Sequence, residues 1–399
     1  MAEILIVTDK PSGAQAIQRI VDRAYSVIVL PMSEITNAAI ERAPAIIFTF
    51  SELGQNEIQQ IRLVTTAEVR RCKCLFAIAS KADRGRIVQA ESLGVRRTIF
   101  PEDGLDAIYA ALSEISIEDY RRLLDGFSPD LRDAFLSVSR MLEGVAGSLR
   151  RVKPLQLGLM IPCIDMLSNV IAREGVGEWM KAVNVHHNQT CRHSIAVAGY
   201  AVAFGEALGL VAEDIRLLAM AGLLHDIGKM LVPASLLDKM GRLDKGEVAV
   251  IAEHPTLGAR ILERQGGIDP LVIEAVRSHH EYLDGSGYPK KLSGSAISPL
   301  TRMVTIADIF CALIEKRSYK EALDPRAAIA LMSEMDDKLD QSLLAVFRTA
   351  ALDTAFARSR EPDFARRKPK EAILAKGLHP IEVRTAAQGT PVRASVRSY

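Results

Sequence analysis

The residues of this 399-residue chain best suited to chemistry are His225 and Asp226, adjacent at the end of the apolar run Leu223-Leu224 and followed by Gly228 and Lys229. A neutral imidazole offers a nitrogen donor and a carboxylate can bridge two cations, so the pair suits a divalent transition metal. A lone His-Asp dipeptide is more often an ordinary surface feature, but this one has company. The chain has 8 histidines, of which His186, His187, His193, His225, His254, His279 and His280 lie close together in sequence and only His379 stands apart. His193 sits in the small and apolar helical stretch Thr190–Ala198, which should pack against the helix ending at Leu224; a satisfied core histidine is the competing reading there. His254-Pro255 opens a further segment, and Ile273–Val276 leads into His279-His280-Glu281. The apolar helix Met303–Phe310 carries a single carboxylate, Asp308, whose burial without a partner would be costly and which a metal would relieve.

The elements that must hold these groups follow from composition and periodicity. A chain this long, 48% hydrophobic, implies two domains and connecting helices. With 50 basic and 49 acidic residues the net charge is +1, which argues against nucleic acid or an anionic membrane recognised through bulk charge. The 5 cysteines are scattered, with only Cys72 and Cys74 close, so neither a zinc spacing nor a disulfide framework emerges and a reducing compartment is expected. Met1-Ala2-Glu3 runs straight into a strand without a signal-peptide pattern, and no apolar run reaches the roughly 18 residues of a membrane span. A cytoplasmic protein is expected.

Apolar runs at Glu3–Thr8, Ser26–Leu30, Ala45–Phe50, Leu75–Ser80 and Arg96–Phe100 alternate with helical spacing such as Gln15-Ile17-Ile20-Val21. Strands alternating with helices predict a parallel sheet covered on both faces, a flavodoxin-like α/β domain over residues 1–115. Residues 116–180 read as helices interrupted at Ser128-Pro129 and Lys153-Pro154, a linker that could form a dimer seam or simply pack on the next domain. An all-helical domain is expected over 181–357, closed by Leu343–Phe347 and Ala350–Phe356, and a basic, Pro-punctuated flexible tail over 358–399.

The first domain resembles a response-regulator receiver. Receivers carry an acidic pair after the first strand, an acceptor Asp after the third, a hydroxyl after the fourth and a Lys after the fifth. Here Thr8-Asp9 keeps one carboxylate, Thr49-Phe50-Ser51 offers no acceptor Asp, Ser80 matches the hydroxyl and Phe100-Pro101 replaces the Lys. The resemblance implies a degenerate pseudo-receiver with no phosphoacceptor.

The order His193, His225-Asp226, Asp308 resembles the HD superfamily of metal-dependent phosphohydrolases. His254, His279-His280 and the loop Asp284-Gly285-Ser286-Gly287-Tyr288-Pro289 narrow the resemblance to the HD-GYP subfamily, over about 185 to 345. It implies an all-helical phosphodiesterase that hydrolyses cyclic di-GMP to pGpG and/or GMP with two or three ions, commonly iron or manganese. Carried over residue by residue, one metal takes His193, His225, Asp226 and Asp308, and the second takes Asp226, His254, His279 and His280. Asp226 is then the bridge, and two neighbouring ions can share a hydroxide as nucleophile. Lys229 is the candidate catalytic cation at the phosphate. Gly287, Tyr288, Pro289, Arg302, Arg317 and Lys320 are candidate substrate contacts, although the charged ones are equally ordinary as surface residues. Gln189 stands where many members have Glu, which favours two ions unless His186 or His187 compensates, and Cys311 and Tyr282 replace the usual Asp and basic residue. Expected partners are cyclic di-GMP, a diguanylate cyclase domain contacted through the loop, and a second copy. The rival readings are an HD-type phosphohydrolase acting on another nucleotide and a catalytically silent protein that binds cyclic di-GMP or a cyclase.

Overall fold

The computed structural model describes residues 3–10, 14–15, 17–18, 26–43, 45–51, 53–66, 69, 74–95, 97–103, 117, 120–150, 154–155, 157–186, 189–232, 234–237, 239, 241, 243–315 and 322–352. The chain divides into two compact units, Met1–Gly126 with Val185–Gln189, and Phe127–Asn184 with Thr190–Tyr399. No helix among the described residues is long and apolar enough to cross a membrane.

The first unit holds five strands, β1 Glu3–Thr8, β2 Ser26–Pro31, β3 Ala45–Thr49, β4 Cys74–Ile78 and β5 Arg97–Ile99. All pair in parallel, in the order β2-β1-β3-β4-β5. Each lies within two residues of its expected place, and the reason they read as unbroken apolar runs is visible in the core. Ile4, Ile6, Ala45, Ile47, Phe76 and Ile78 pack on one face, while Leu5, Val7, Ile46, Phe48, Leu75 and Ala77 pack on the other. A sheet buried on both sides needs apolar residues at odd and even positions alike. Helices α1 Asn37–Arg42, α2 Gln55–Val64 and α3 Arg84–Ser92 lie among the strands in sequence.

The polar groups at the carboxyl ends of these strands close on one another. The Ser51 amide donates to Asp9 Oδ2 at 2.7 Å and the Ser51 hydroxyl bonds the same oxygen. Burial would raise the Asp9 carboxyl, but these two bonds and the charge of Lys10 hold it below its ordinary range. Ser80 bonds Glu102, and Lys81 pairs with Asp103. Phe50, which directly follows β3, is packed into the core.

In the second unit, the helices are α4 Pro129–Arg150, α5 Met160–Glu174, α6 Val176–Val183, α7 Gln189–Leu208, α8 Ala212–Leu224, the short α9 Ala234–Leu237, α10 Lys245–Ala252, α11 His254–Gln265, α12 Pro270–Ser278, α13 Pro299–Ile314, α14 Pro325–Ser333 and α15 Gln341–Leu352. The break at Ser128-Pro129 begins α4, as the sequence implies. The boundary between units falls at Gly126–Phe127 rather than near 115, and α4 to α6, expected as a linker, belong to the second unit and pack against one another, with α5 also against α8. The physical reason is their amphipathic stripe: Leu131, Phe135, Leu142, Ile164, Leu167 and Trp179 are all buried. Helices α7, α8 and α13 form the centre. A Cβ at Gly222 of α8 would come within 3.2 Å of the Ala198 backbone, and one at Gly199 within 2.4 Å of the Trp179 ring, so both glycines permit close helix approach. Tyr200, Phe204, Phe310 and Phe347 interlock beyond them, with ring centroids 4.9 Å apart for Tyr200–Phe310 and 5.1 Å for Phe204–Phe347.

Candidate metal centre

Three histidines occupy helix ends. His225 follows the last residue of α8 and His279 that of α12, while His254 stands two residues past α10 as the first residue of α11. In each, Nδ1 reaches the carbonyl three residues earlier: Gly222 at 2.8 Å, Ile251 at 2.8 Å and Val276 at 2.9 Å. The last carbonyls of a helix have no partner of their own, so the imidazoles serve as side-chain caps. A carbonyl only accepts, so Nδ1 carries a hydrogen in each ring and leaves Nε2 facing inward.

Those nitrogens converge. Nε2 of His254 and of His279 lie 3.2 Å apart. His225 Nε2 is buried and among the described residues has no hydrogen-bond partner, 3.4 Å from Asp226 Oδ2 and 3.6 Å from Asp308 Oδ1. Among the described residues Asp226 Oδ1 has no conventional hydrogen bond, and it sits 3.1 Å from His254 Nε2. Acceptors facing acceptors at these distances repel unless a cation lies among them, and each unsatisfied buried group costs about 1–3 kcal/mol. The donor set His/carboxylate fits a divalent transition metal. Ligand atoms of His193, His225 and Asp308, of His225, Asp226 and His279, and of His254, His279 and His280 gather within 4.8 Å in each set.

The electrostatics agree with that need. Burial would lower His193, but the Asp308 carboxylate, 2.8 Å from its Nε2, together with Glu315 and Asp226, holds the imidazolium up at about 9. Burial pushes His280 down to about 3 against the attraction of Asp308, and pushes His279 well down with the help of neighbouring His280, His225 and His254. Burial alone would raise Asp226 and Asp308; for Asp226 the Lys229 charge and His225, and for Asp308 the His193 hydrogen bond and His225, keep the carboxyls well below the ordinary range. Lys229 Nζ donates to Asp226 Oδ2 at 2.7 Å from the turn Ile227–Leu231. That turn lies hard against α11: a Cβ at Gly228 would stand 2.0 Å from the His254 carbonyl oxygen.

His280 lacks a carbonyl cap. Its Nδ1 lies 3.8 Å from Asp308 Oδ2 and its ring stacks on Tyr288, centroids 4.7 Å apart and 28° between planes. The loop that supplies Tyr288 is pinned to the histidine pair. Tyr288 N–H donates to the His280 carbonyl at 3.1 Å, and a Cβ at Gly287 would meet that same oxygen and the Glu281 Cα at 2.5 Å. Buried Glu281 accepts from the amides of Lys290 at 2.6 Å and Leu292 at 3.0 Å. Pro289 follows Tyr288 through a cis peptide bond.

Of the residues singled out from sequence, His193, His225, Asp226, His254, His279, His280 and Asp308 come together, with Lys229 and Tyr288 beside them. Arg302 is engaged elsewhere: its guanidinium donates to the carbonyls of Ile297 and Gly294, each at 2.9 Å, and to Asp340 at 3.0 Å, tying the loop end to α13. Arg317, Lys320, His187 and the tail 358–399 lie outside the described residues. His186 is buried with its ring 4.9 Å from that of Tyr120. The sequence reading missed the carbonyl caps, although histidines just past three apolar helices were the visible signal. It also missed Glu281 as a loop clamp and Glu315, whose Oε2 lies 3.5 Å from His193 Nδ1.

The fold and the convergent His/Asp cluster define a class, and the comparisons agree with it. Residues 179–343 match the family model described as HD domain. That stretch of the helical unit is thus similar to HD domains. It is similar to a cyclic di-GMP phosphodiesterase of Pseudomonas aeruginosa, 37% identical over 158 residues, covering 40% of this chain and 38% of that protein. The cyclic di-GMP phosphodiesterase response regulator RpfG of Xanthomonas campestris is 38% identical over 162 residues, 40% of this chain and 43% of its own length. A 3'3'-cGAMP-specific phosphodiesterase of Vibrio cholerae is 30% identical over 259 residues, 63% of this chain and 48% of its own. The chain thus spans less than half the length of each.

Proposed function

We propose that this chain is a metal-dependent phosphodiesterase that hydrolyses cyclic di-GMP. The observation that carries the reading is the convergence of the inward Nε2 atoms of His225, His254 and His279 on Asp226, whose Oδ1 has no conventional hydrogen bond among the described residues, a geometry that fits divalent cations. His193, His225, Asp226 and Asp308 would hold one ion and Asp226, His254, His279 and His280 the other, iron or manganese by donor chemistry. Bound there, the metals would polarise the phosphate and provide a nucleophile at neutral pH. The chain's own groups do the rest. Asp226 offers one oxygen toward His254 and the other toward Lys229, so a single residue sets the spacing of the two halves of the site. Lys229 brings a fixed positive charge to the edge of the cluster, where it would stabilise charge that develops on a non-bridging phosphate oxygen. Tyr288, a neutral phenol stacked on His280, gives an aromatic surface for a purine base. Gly287 and Pro289 shape its loop, whereas the bonds of Arg302 make it a loop tie in this reading. Two ions rather than three follow from Gln189, whose amide is a weak ligand.

The N-terminal sheet, with the strand order of flavodoxin-like folds, is read here as a receiver-like unit that takes no phosphoryl group. A cytoplasmic location, pGpG or GMP as product, pairing with a second copy and contact with a cyclase domain complete the proposal. Metal analysis of anaerobically purified protein, coupled to hydrolysis of cyclic di-GMP and 3'3'-cGAMP, tests it. Metal-free, inactive protein in the presence of excess iron and manganese overturns the reading, and preference for 3'3'-cGAMP reassigns the substrate. Binding of metal and cyclic di-GMP without turnover would favour the silent sensor, toward which Cys311 and Tyr282 point.

A further inference from the structure

Resting on the metal-site reading above, we infer that Glu315 is the positioning residue for His193, and that it supplies from one helical turn further on the carboxylate that position 311 lacks. The histidines of the cluster are not held alike. His225, His254 and His279 fix their rings by donating Nδ1–H to a helix-end carbonyl. His193 cannot do so, because it lies inside α7, where the carbonyls behind it are already bonded within the helix. Its Nδ1 is buried, and among the described residues no conventional hydrogen bond reaches it. The side-chain oxygen that faces it is Glu315 Oε2, 3.5 Å away on another helix.

Glu315 is held for this task. Arg192, the neighbour of His193 in sequence, donates from Nε to Glu315 Oε1 at 3.0 Å, which leaves Oε2 turned toward the ring. The Glu315 side chain is only 11% exposed. Its backbone N–H still bonds the Cys311 carbonyl at 3.0 Å, so Asp308, Cys311 and Glu315, spaced i, i+3 and i+7, form one stripe at the end of α13. Asp308 meets His193 at Nε2 and Glu315 meets it at Nδ1. A buried thiol at 311 is a weak acceptor, whereas a carboxylate on the outer nitrogen fixes tautomer and orientation and raises the basicity of the inner one.

The test is Mn²⁺ titration of the full chain by calorimetry, with ¹⁵N-histidine spectra read alongside. Glu315→Ala should weaken Mn²⁺ binding by about 10–100-fold, with the His193 Nδ1–H signal shifted or lost. Glu315→Gln, which keeps an acceptor oxygen of the same reach, should fall between parent and Ala. Adding Cys311→Asp to Glu315→Ala should recover most of the affinity, which a merely structural role for Glu315 would not allow. Should the Ala variant fail to fold, Gln and Cys311→Asp carry the comparison. Parent-like Mn²⁺ affinity in both Ala and Gln variants, or no recovery in the double variant, overturns the inference. A parent that binds no Mn²⁺ overturns the metal reading along with it.

Discussion

The two units treat buried and half-buried polar groups in opposite ways. At the carboxyl ends of the sheet, Asp9 is matched by two Ser51 donors, Ser80 by Glu102 and Lys81 by Asp103. In the helical unit, His225 Nε2 and Asp226 Oδ1 are buried without conventional partners, and two imidazole nitrogens confront each other at 3.2 Å. Both places lie where a fold of their kind keeps its chemistry. A site whose donors and acceptors are mutually satisfied has no demand for a ligand, whereas one with convergent unsatisfied acceptors favours something positive among them.

The contrast can be broken most severely at Asp226. Asp226→Ala should empty the centre and abolish hydrolysis, because this carboxylate faces His254 through one oxygen and Lys229 through the other. Full metal content with parental turnover in that variant would remove the cluster from consideration as the catalytic centre. Lys229→Ala is the next largest step: the ions should stay while the rate falls on the order of 100-fold, as for one charge contact made in the transition state. Simultaneous loss of metal there would recast Lys229 as a scaffold for Asp226.

A smaller effect follows from His193. Asp308 and Glu315 outweigh burial and hold its imidazolium at about 9, so near pH 7.5 the metal-free ring carries a proton on the nitrogen that a metal must take. Binding should therefore release a proton at that pH and progressively less as pH climbs past 9. Calorimetry in buffers of different ionisation enthalpy measures it, and buffer-independent heats would contradict the assignment. The smallest effects belong to the sheet. Asp9→Ala should leave hydrolysis unchanged and reduce stability by no more than about 1 kcal/mol, since the lost bonds are partly exposed. Acetyl phosphate with magnesium should label none of residues 1–115, and a phospho-aspartate found there by mass spectrometry would falsify the reading that this unit takes no phosphoryl group.

Much of this was legible in the residues. Continuous apolar runs of five or six alternating with helical spacing pointed to strands of a doubly covered sheet, and the seven ligand candidates stood out because their order along apolar helices resembles that of the HD superfamily. Proline-marked breaks placed the start of α4. The unit boundary was less legible, because Leu131, Phe135 and Ile164 make α4 and α5 equally good as linker or core, and only packing decides. Arg302 looked like a phosphate ligand because sequence gives charge but not the carbonyls of Gly294 and Ile297 that engage it. Glu315 escaped notice because its partner, His193, is more than a hundred residues away and nothing local marks the pair.

The three histidine caps bear on how the molecule would live through scarcity of metal. Small zinc modules unfold when their ion is withdrawn, because the ion is their core. Here His225, His254 and His279 close helix ends by themselves, and the core around Phe204, Phe310 and Phe347 is aromatic and fully buried. A chelated sample should keep its helical signal and refill within the folded state. In a starved cell such a protein would persist as an idle apoprotein, and its output would track the availability of the ion without new synthesis.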